Sequence, residues 1–294
     1  MSQLAVVVPP AVREVLARFG EVGRVRSTVG GFSHTTFVTT IDGTTVVVKA
    51  NSDGGKRADL RRETAFLQFL ATTPLPAPIL RGFGVDSDDT WTVLVLESID
   101  AESGLNLVQR GDVDELIHAG RELGRLMSIV HQQPFSPLDV IDSLGVDLAV
   151  RWADDRRQVT ELGSNLTSAH SALRVGVALV HGDAGLHNTL WANGRLVSLI
   201  DWEFAGYGNP LADVAWAWWS MSFRRLVPDA WEAFVDGYRG ERLATLGWSA
   251  DAVLELVRAQ MISLMVRTTP ESNARKEWSR RLEGLSRLTV PDLR

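Results

Sequence analysis

HGDAGLHNTLW, residues 181–191, is followed after the short run ANGRLVS by LIDWEF, residues 199–204. The apolar triplet ALV at 178–180 precedes the first run, and Asn193-Gly194 between the two is a two-residue hairpin signal. This spacing predicts Asp183 on the loop leaving a short strand and Asn188 at the end of that loop. Asp201 then ends the following strand, RLVSLI at 195–200, and the hairpin draws the strand ends together. Two carboxylates and an amide are hard oxygen donors, too few for an all-protein cage, and such sets suit Mg²⁺ shared with phosphate groups. A carboxylate left over from the metal can act as a base. Phosphoryl transfer asks little more of a protein than to position the nucleophile and neutralise the phosphates.

Working towards the N-terminus, residues 24–50 are rich in Val and Thr, with an Asp42-Gly43 turn between two strand-like runs, which predicts an antiparallel meander. From Arg57 to Ala71 the period changes. Leu60, Glu63, Leu67 and Leu70 share one face of a helix, so Glu63 lies on an apolar stripe. Lys49, in TTVVVKA at 44–50, ends a core-facing strand, and burying either charge alone is costly; pairing Lys49 with Glu63 removes both penalties. Lys49 is also the candidate cation for nucleotide phosphates. The loop VGGFSHTTF at 29–37 offers Gly30 and Gly31, with Ser33 beside them, where backbone amides can approach phosphate oxygens. Pro74, Pro76 and Pro78 force an extended link before the strand WTVLVLES at 91–98, whose backbone near Glu97 is placed to meet an adenine ring.

Beyond Gly104 the pattern is helical, with amphipathic runs around Leu116–Val130 and 251–267, interrupted only by the small β insert that carries the opening motif. The expected class is therefore α+β and bilobal: an N-terminal antiparallel sheet with one helix over residues 1–98, and a mainly helical lobe with a small β insert over 99–294. A chain of 294 residues is long enough for two lobes. A net charge of −6 disfavours binding to nucleic acid or anionic membrane. The absence of cysteine excludes disulfides, thiolate zinc sites and cysteine nucleophiles, and fits a reducing, cytoplasmic setting. The N-terminus lacks a basic segment of the signal-peptide kind, and no run approaches the roughly 18 apolar residues of a membrane span.

Lys49 on a strand, Glu63 on the next helix, HGD with Asn188 five residues after Asp183, and IDWE followed by GNPLADVA together resemble the aminoglycoside phosphotransferase and choline kinase family, of protein-kinase-like fold. The resemblance spans roughly residues 24–220 in consistent order. It implies ATP and Mg²⁺ as cofactors, Asp183 as catalytic base, Asn188 and Asp201 as Mg²⁺ ligands, and Lys49 on the ATP phosphates. Asp213 would buttress the catalytic loop. The implied reaction is transfer of the γ-phosphate to a hydroxyl of a small molecule: an aminoglycoside-like antibiotic, an amino sugar or an amino alcohol. Two positions depart from the family pattern. His187 stands where the loop usually runs His-Pro-Gly-Asn, and His34 stands where Asn is frequent.

Several readings stay open on sequence alone. Glu203 either reaches a second Mg²⁺ or is an exposed loop carboxylate. Trp216 and Trp219, at i and i+3, are either core or part of a cation-binding wall. Asp154, Asp155 and Glu161 either attract an amino sugar or face solvent. His181 reads as a scaffold residue. The rival functions are a protein kinase, disfavoured because Asp201-Trp202-Glu203 replaces Asp-Phe-Gly, and a nucleotide-binding pseudokinase acting as an interaction module, disfavoured by the intact Asp183, Asn188 and Asp201.

Overall fold

The computed structural model describes residues 7–27, 34–134, 178–226, 228–268 and 271–292. They fall into two compact units. One holds the described residues up to Ala101 together with Ser198–Phe204, and the other holds those from Glu102 to Val197 and from Ala205 onward.

In the first unit the Val- and Thr-rich segment forms β1 (Arg26–Ser27), β2 (Thr35–Ile41) and β3 (Thr44–Asn51), joined by β4 (Leu80–Val85) and β5 (Thr92–Glu97). The sheet order is β1-β2-β3-β5-β4, antiparallel throughout. Asp42 and Gly43 both take positive φ, as a two-residue turn between twisted strands requires, and Ile41 pairs with Thr44. Alternation along β3 sends Val46, Val48 and Ala50 into a core with Phe37, Val93 and Val95. Helix α1 (Pro10–Ala17) closes that core with Val12, Val15 and Leu16, its proline standing in the first turn where no N–H partner is needed. Lys49 points to the opposite face. There α2 (Gly54–Leu70), capped by the Asp53 side chain on the Lys56 N–H, buries Leu60, Glu63, Leu67 and Leu70. The helix begins three residues before the sequence-predicted start at Arg57, because the apolar period cannot register a polar first turn.

The second unit is helical around a β insert. β6 (Glu102–Ser103) leads into α3 (Gly104–Arg110) and α4 (Val113–Val130), the latter capped by Asp112. β7 (Ala178–Val180) precedes the loop that carries Asp183, and β8 (Thr189–Ala192) and β9 (Arg195–Leu199) form the expected hairpin, with Asn193 and Gly194 at positive φ. β10 (Gly206–Gly208) pairs antiparallel with β7. Then come α5 (Pro210–Phe223), α6 (Pro228–Tyr238), α7 (Gly240–Thr245), α8 (Ala250–Val266) and α9 (Asn273–Gly284). Helices α4 and α6 cross closely enough that a Cβ at Gly120 or Gly124 would lie 2.1 Å from the carbonyl oxygen of Ala230 or Phe234. Only glycine permits that approach. No helix among the described residues is long and apolar enough to cross a membrane.

Candidate active site

The first unit assembles a charged cluster. Lys49 Nζ donates to both carboxylate oxygens of Glu63, at 2.7 and 2.8 Å, and to Asp201 Oδ1 at 2.6 Å. The Lys49 side chain is 12% exposed and Glu63 fully buried, so the pairing read from the sequence is present. Burial alone would lower the Lys49 pKa, but Asp201 and Glu63, with Glu203 behind them, outweigh it and hold the ammonium above its ordinary range. Burial pushes the Glu63 carboxyl up while Lys49 opposes the shift. No local pattern joins a strand end to a residue 152 positions later, so the Lys49–Asp201 contact comes from the structure alone.

Asp201 lies two residues past the end of β9 in the left-handed region, φ 69°, a conformation that costs a non-glycine residue energy and concentrates at functional positions. Trp202 anchors the turn through Nε1 to the Leu199 carbonyl at 2.8 Å. Glu203 is not an exposed loop carboxylate. Its side chain is 2% exposed and meets His34 Nε2 at 2.5 Å, and its backbone carbonyl accepts from Arg62. The unusual His34 thus has a partner inside this unit. Glu97 closes β5; its N–H donates to the Ile79 carbonyl at 2.9 Å and its carboxylate pairs with Arg81 at 3.0 Å. Gly30, Gly31 and Ser33 lie outside the described residues, as do Asp154, Asp155 and Glu161.

The second unit builds its site around Asp183. Gly182, at φ 83°, turns the chain sharply after β7. Asp213 of α5 then accepts the N–H groups of His181 and Gly182, at 2.7 and 2.8 Å, and His131 Nε2 at 3.1 Å. His131 Nδ1 lies 2.7 Å from the Tyr238 hydroxyl, so Asp213 is a fully buried hub. Burial would raise its pKa, but the bonds and charges from His131 and His181 prevail and lower it. His181 is fully buried and takes the Asp183 N–H on Nδ1 at 3.2 Å, the scaffold role its position suggested. Gln260 of α8 donates to the Gly182 carbonyl at 2.8 Å.

Asp183 itself is held by side chains without a fixed charge. Trp216 Nε1 donates to Oδ1 at 2.5 Å, Asn188 Nδ2 to Oδ2 at 2.9 Å, and His187 Nε2 lies 3.3 Å from Oδ2. Asn188 Nδ2 also donates to the Asp183 carbonyl at 2.9 Å. Spending the amide nitrogen on Asp183 turns Asn188 Oδ1 into the free end, a hard oxygen suited to a divalent cation. Trp216 and Trp219 are buried and mutually packed, ring centres 4.4 Å apart, which satisfies the core reading. The contact from Trp216 to Asp183 escaped the sequence, and its only signal was chemical: a buried indole N–H needs an acceptor.

Residues 24–251 match the model of the phosphotransferase enzyme family. The chain belongs to that family. A search of curated proteins finds no match. Among solved structures, the gentamicin complex of the aminoglycoside phosphotransferase APH(2")-IIa superposes with a TM-score of 0.65 at 16% identity, over 95% of this chain and 97% of that one. A thermostable mutant of APH(4)-Ia in ternary complex with ADP and hygromycin B gives 0.60 at 17% identity, over 95% and 98%. The phosphotransferase thus has the protein-kinase-like α+β fold of these enzymes, with an N-terminal antiparallel sheet and a helical C-terminal part.

Proposed function

We propose that this phosphotransferase moves the γ-phosphate of ATP to a hydroxyl of a small molecule, in the cytoplasm, with residues 1–98 serving the nucleotide and 99–294 the acceptor. The observation that carries the reading is the carboxylate of Asp183, fixed by Trp216, Asn188 and His187 with no lysine or arginine bonded to it among the described residues. A carboxylate so held keeps its lone pairs for a proton instead of surrendering them to an ion pair. Asp183 accepts the proton of the acceptor hydroxyl and orients its oxygen. Lys49, braced by Glu63, receives ATP phosphate oxygens, and Gly30, Gly31 and Ser33 add loop contacts. The backbone near Glu97 receives the adenine.

Asn188, through its amide oxygen, and Asp201, through its carboxylate, are hard oxygen donors of the kind Mg²⁺ prefers and would hold it together with phosphate oxygens and waters. The ion would supply charge neutralisation at the phosphates.

The test is ADP release from MgATP across a panel of small-molecule alcohols, beginning with gentamicin and hygromycin B because similar folds bind them. Turnover with at least one acceptor is expected, and Asp201→Asn should steeply lower both productive MgATP binding and turnover while leaving the protein folded. Tight MgATP binding without turnover on any acceptor would sink the reading and leave a nucleotide-binding module.

A further inference from the structure

Resting on that reading, we infer that the acceptor carries an anionic group, a carboxylate or phosphate, and that Arg224 is the residue that selects it. Trp216, Ser220 and Arg224 follow one another at i, i+4 and i+8 along α5 and its C-terminal cap, so one helix face runs from the Asp183 contact to a guanidinium. Ser220 also stands beside the catalytic-type loop, since a Cβ on Gly185 would approach its hydroxyl at 3.1 Å.

Arg224 brings a positive charge to the end of this face. Among the described residues its guanidinium makes no ion pair, and its Nε is buried with no hydrogen-bond partner, a state that costs free energy unless a ligand supplies the acceptor. Burial and the neighbouring Arg281 lower the Arg224 pKa, while Asp183 opposes them, so Arg224 lies within electrostatic reach of both the base and a second guanidinium. An arginine stays protonated under such pressure, and the pressure is relieved by an anion.

The aromatic surface beside it argues against a cationic acceptor. Trp216, Trp219 and Trp278 pack with ring centres 4.4 to 6.0 Å apart, and Phe223 stacks on Trp219. The cation that such rings attract is already supplied by the chain. Arg281 sits 4.5 Å over Phe223 and 4.6 Å over Trp278, and Glu277 holds it in place through Nε at 3.0 Å. The cation-binding wall raised by the sequence is therefore filled from within, and an incoming ammonium would face two guanidinium groups. A carboxylate meets instead a guanidinium with no ion pair among the described residues, beside the half-buried Trp278.

Calorimetric titration with a matched pair, phenyl β-glucuronide and phenyl β-glucoside, tests this on the intact protein, because the two differ by a carboxylate against a hydroxymethyl. The glucuronide should bind about ten- to a hundredfold more tightly, the worth of a charge-assisted hydrogen bond. Arg224→Ala should bring the two affinities to within about twofold, and Arg224→Lys should keep part of the preference. Equal affinities in the unsubstituted protein, tighter binding of gentamicin than of either glycoside, or no binding of any probe would each overturn the inference without any variant having to fold. ADP release separates the two claims. A glucuronide that binds through Arg224 but is never phosphorylated, with every other acceptor equally inert, defeats the kinase reading and leaves the anion site. Turnover of gentamicin without preference for the glucuronide defeats the anion site and leaves the kinase.

Discussion

Two carboxylates of this chain, Asp201 and Asp183, follow short strands of two different sheets, β9 and β7, and their surroundings are of opposite kinds. Asp201 is bonded to a lysine that also holds a fully buried glutamate, so its charge is balanced by a cation within the protein. Asp183 is bonded to an indole, an amide and an imidazole, and the counterpart that stabilises its loop, Asp213, grips the backbone of His181 and Gly182 and leaves the Asp183 side chain alone. A carboxylate balanced by charge is stable and electrostatically committed. One held by neutral donors is oriented but still able to take a proton. The chemistry assigned to each follows from that contrast.

The largest effect should come from destroying the basicity of Asp183 without disturbing its shape. Asp183→Asn should lower turnover by about two to four orders of magnitude, the usual contribution of a positioned base, while MgATP titration and the melting temperature stay close to the parent values. If Asp183 instead only shapes the loop, melting will drop and the rate per folded molecule will persist. A folded variant with parental turnover would erase the distinction drawn between the two carboxylates.

Asp213 tests the other half of the contrast, the claim that loop stability resides away from the base. Asp213→Ala strands two backbone N–H groups and His131 in a buried setting, and chemical denaturation should show a loss of roughly 3–5 kcal/mol. The pH dependence has a definite sign. A folded-state pKa below the ordinary value means that the contribution of Asp213 is present above the unfolded pKa of 3.8 and is lost as pH falls through the lowered folded value. The stability gap between the parent and Asp213→Asn should therefore be full near neutrality and close only in strong acid. A gap that closes near pH 6 would place the responsible group elsewhere.

How far each cluster was legible in the sequence follows from the range of its contacts. Lys49 and Glu63 are 14 residues apart on adjacent elements, and a glutamate on an apolar stripe beside a strand-end lysine announces itself through the cost of burying either alone. The hairpins were equally local, set by Asp42-Gly43 and Asn193-Gly194. Trp216 reaches Asp183 across 33 residues, and His131 reaches Asp213 and Tyr238 across 82 and 107, through helices whose relative placement no periodicity encodes. Short elements were missed for a related reason: β6 has two residues and β10 three, lengths at which alternation has nothing to repeat. Glu203 stays ambiguous in the sequence because its partner, His34, is 169 positions away.

The charged cluster predicts coupling, and a double-mutant cycle measures it. Lys49→Ala leaves Glu63 buried without its partner and should cost about 1–3 kcal/mol; Glu63→Ala leaves Lys49 with Asp201 alone and should cost less. Removing both should destabilise by less than the sum of the singles. Strict additivity in urea denaturation would mean that the pair contributes no mutual stabilisation, and the cluster would lose its description as internally balanced.

The smallest expected effect is the most pointed, because it touches the neutral environment of Asp183 alone. Trp216→Phe keeps an aromatic ring to pack against Trp219 and Trp278 but removes the N–H bonded to Oδ1. A hydrogen bond to a charged group is worth about 1.5–3 kcal/mol, and this one fixes where Oδ1 points. Losing the donor frees the Asp183 side chain to rotate away from the acceptor. Asn188 and His187 still hold Oδ2, so orientation is only partly lost. Turnover per folded molecule should therefore fall by about tenfold or less, with MgATP affinity unchanged. A purely packing role for Trp216 would lower the melting temperature and leave turnover per folded molecule where it was, so that rate decides whether the indole orients the proposed base or is only part of the core.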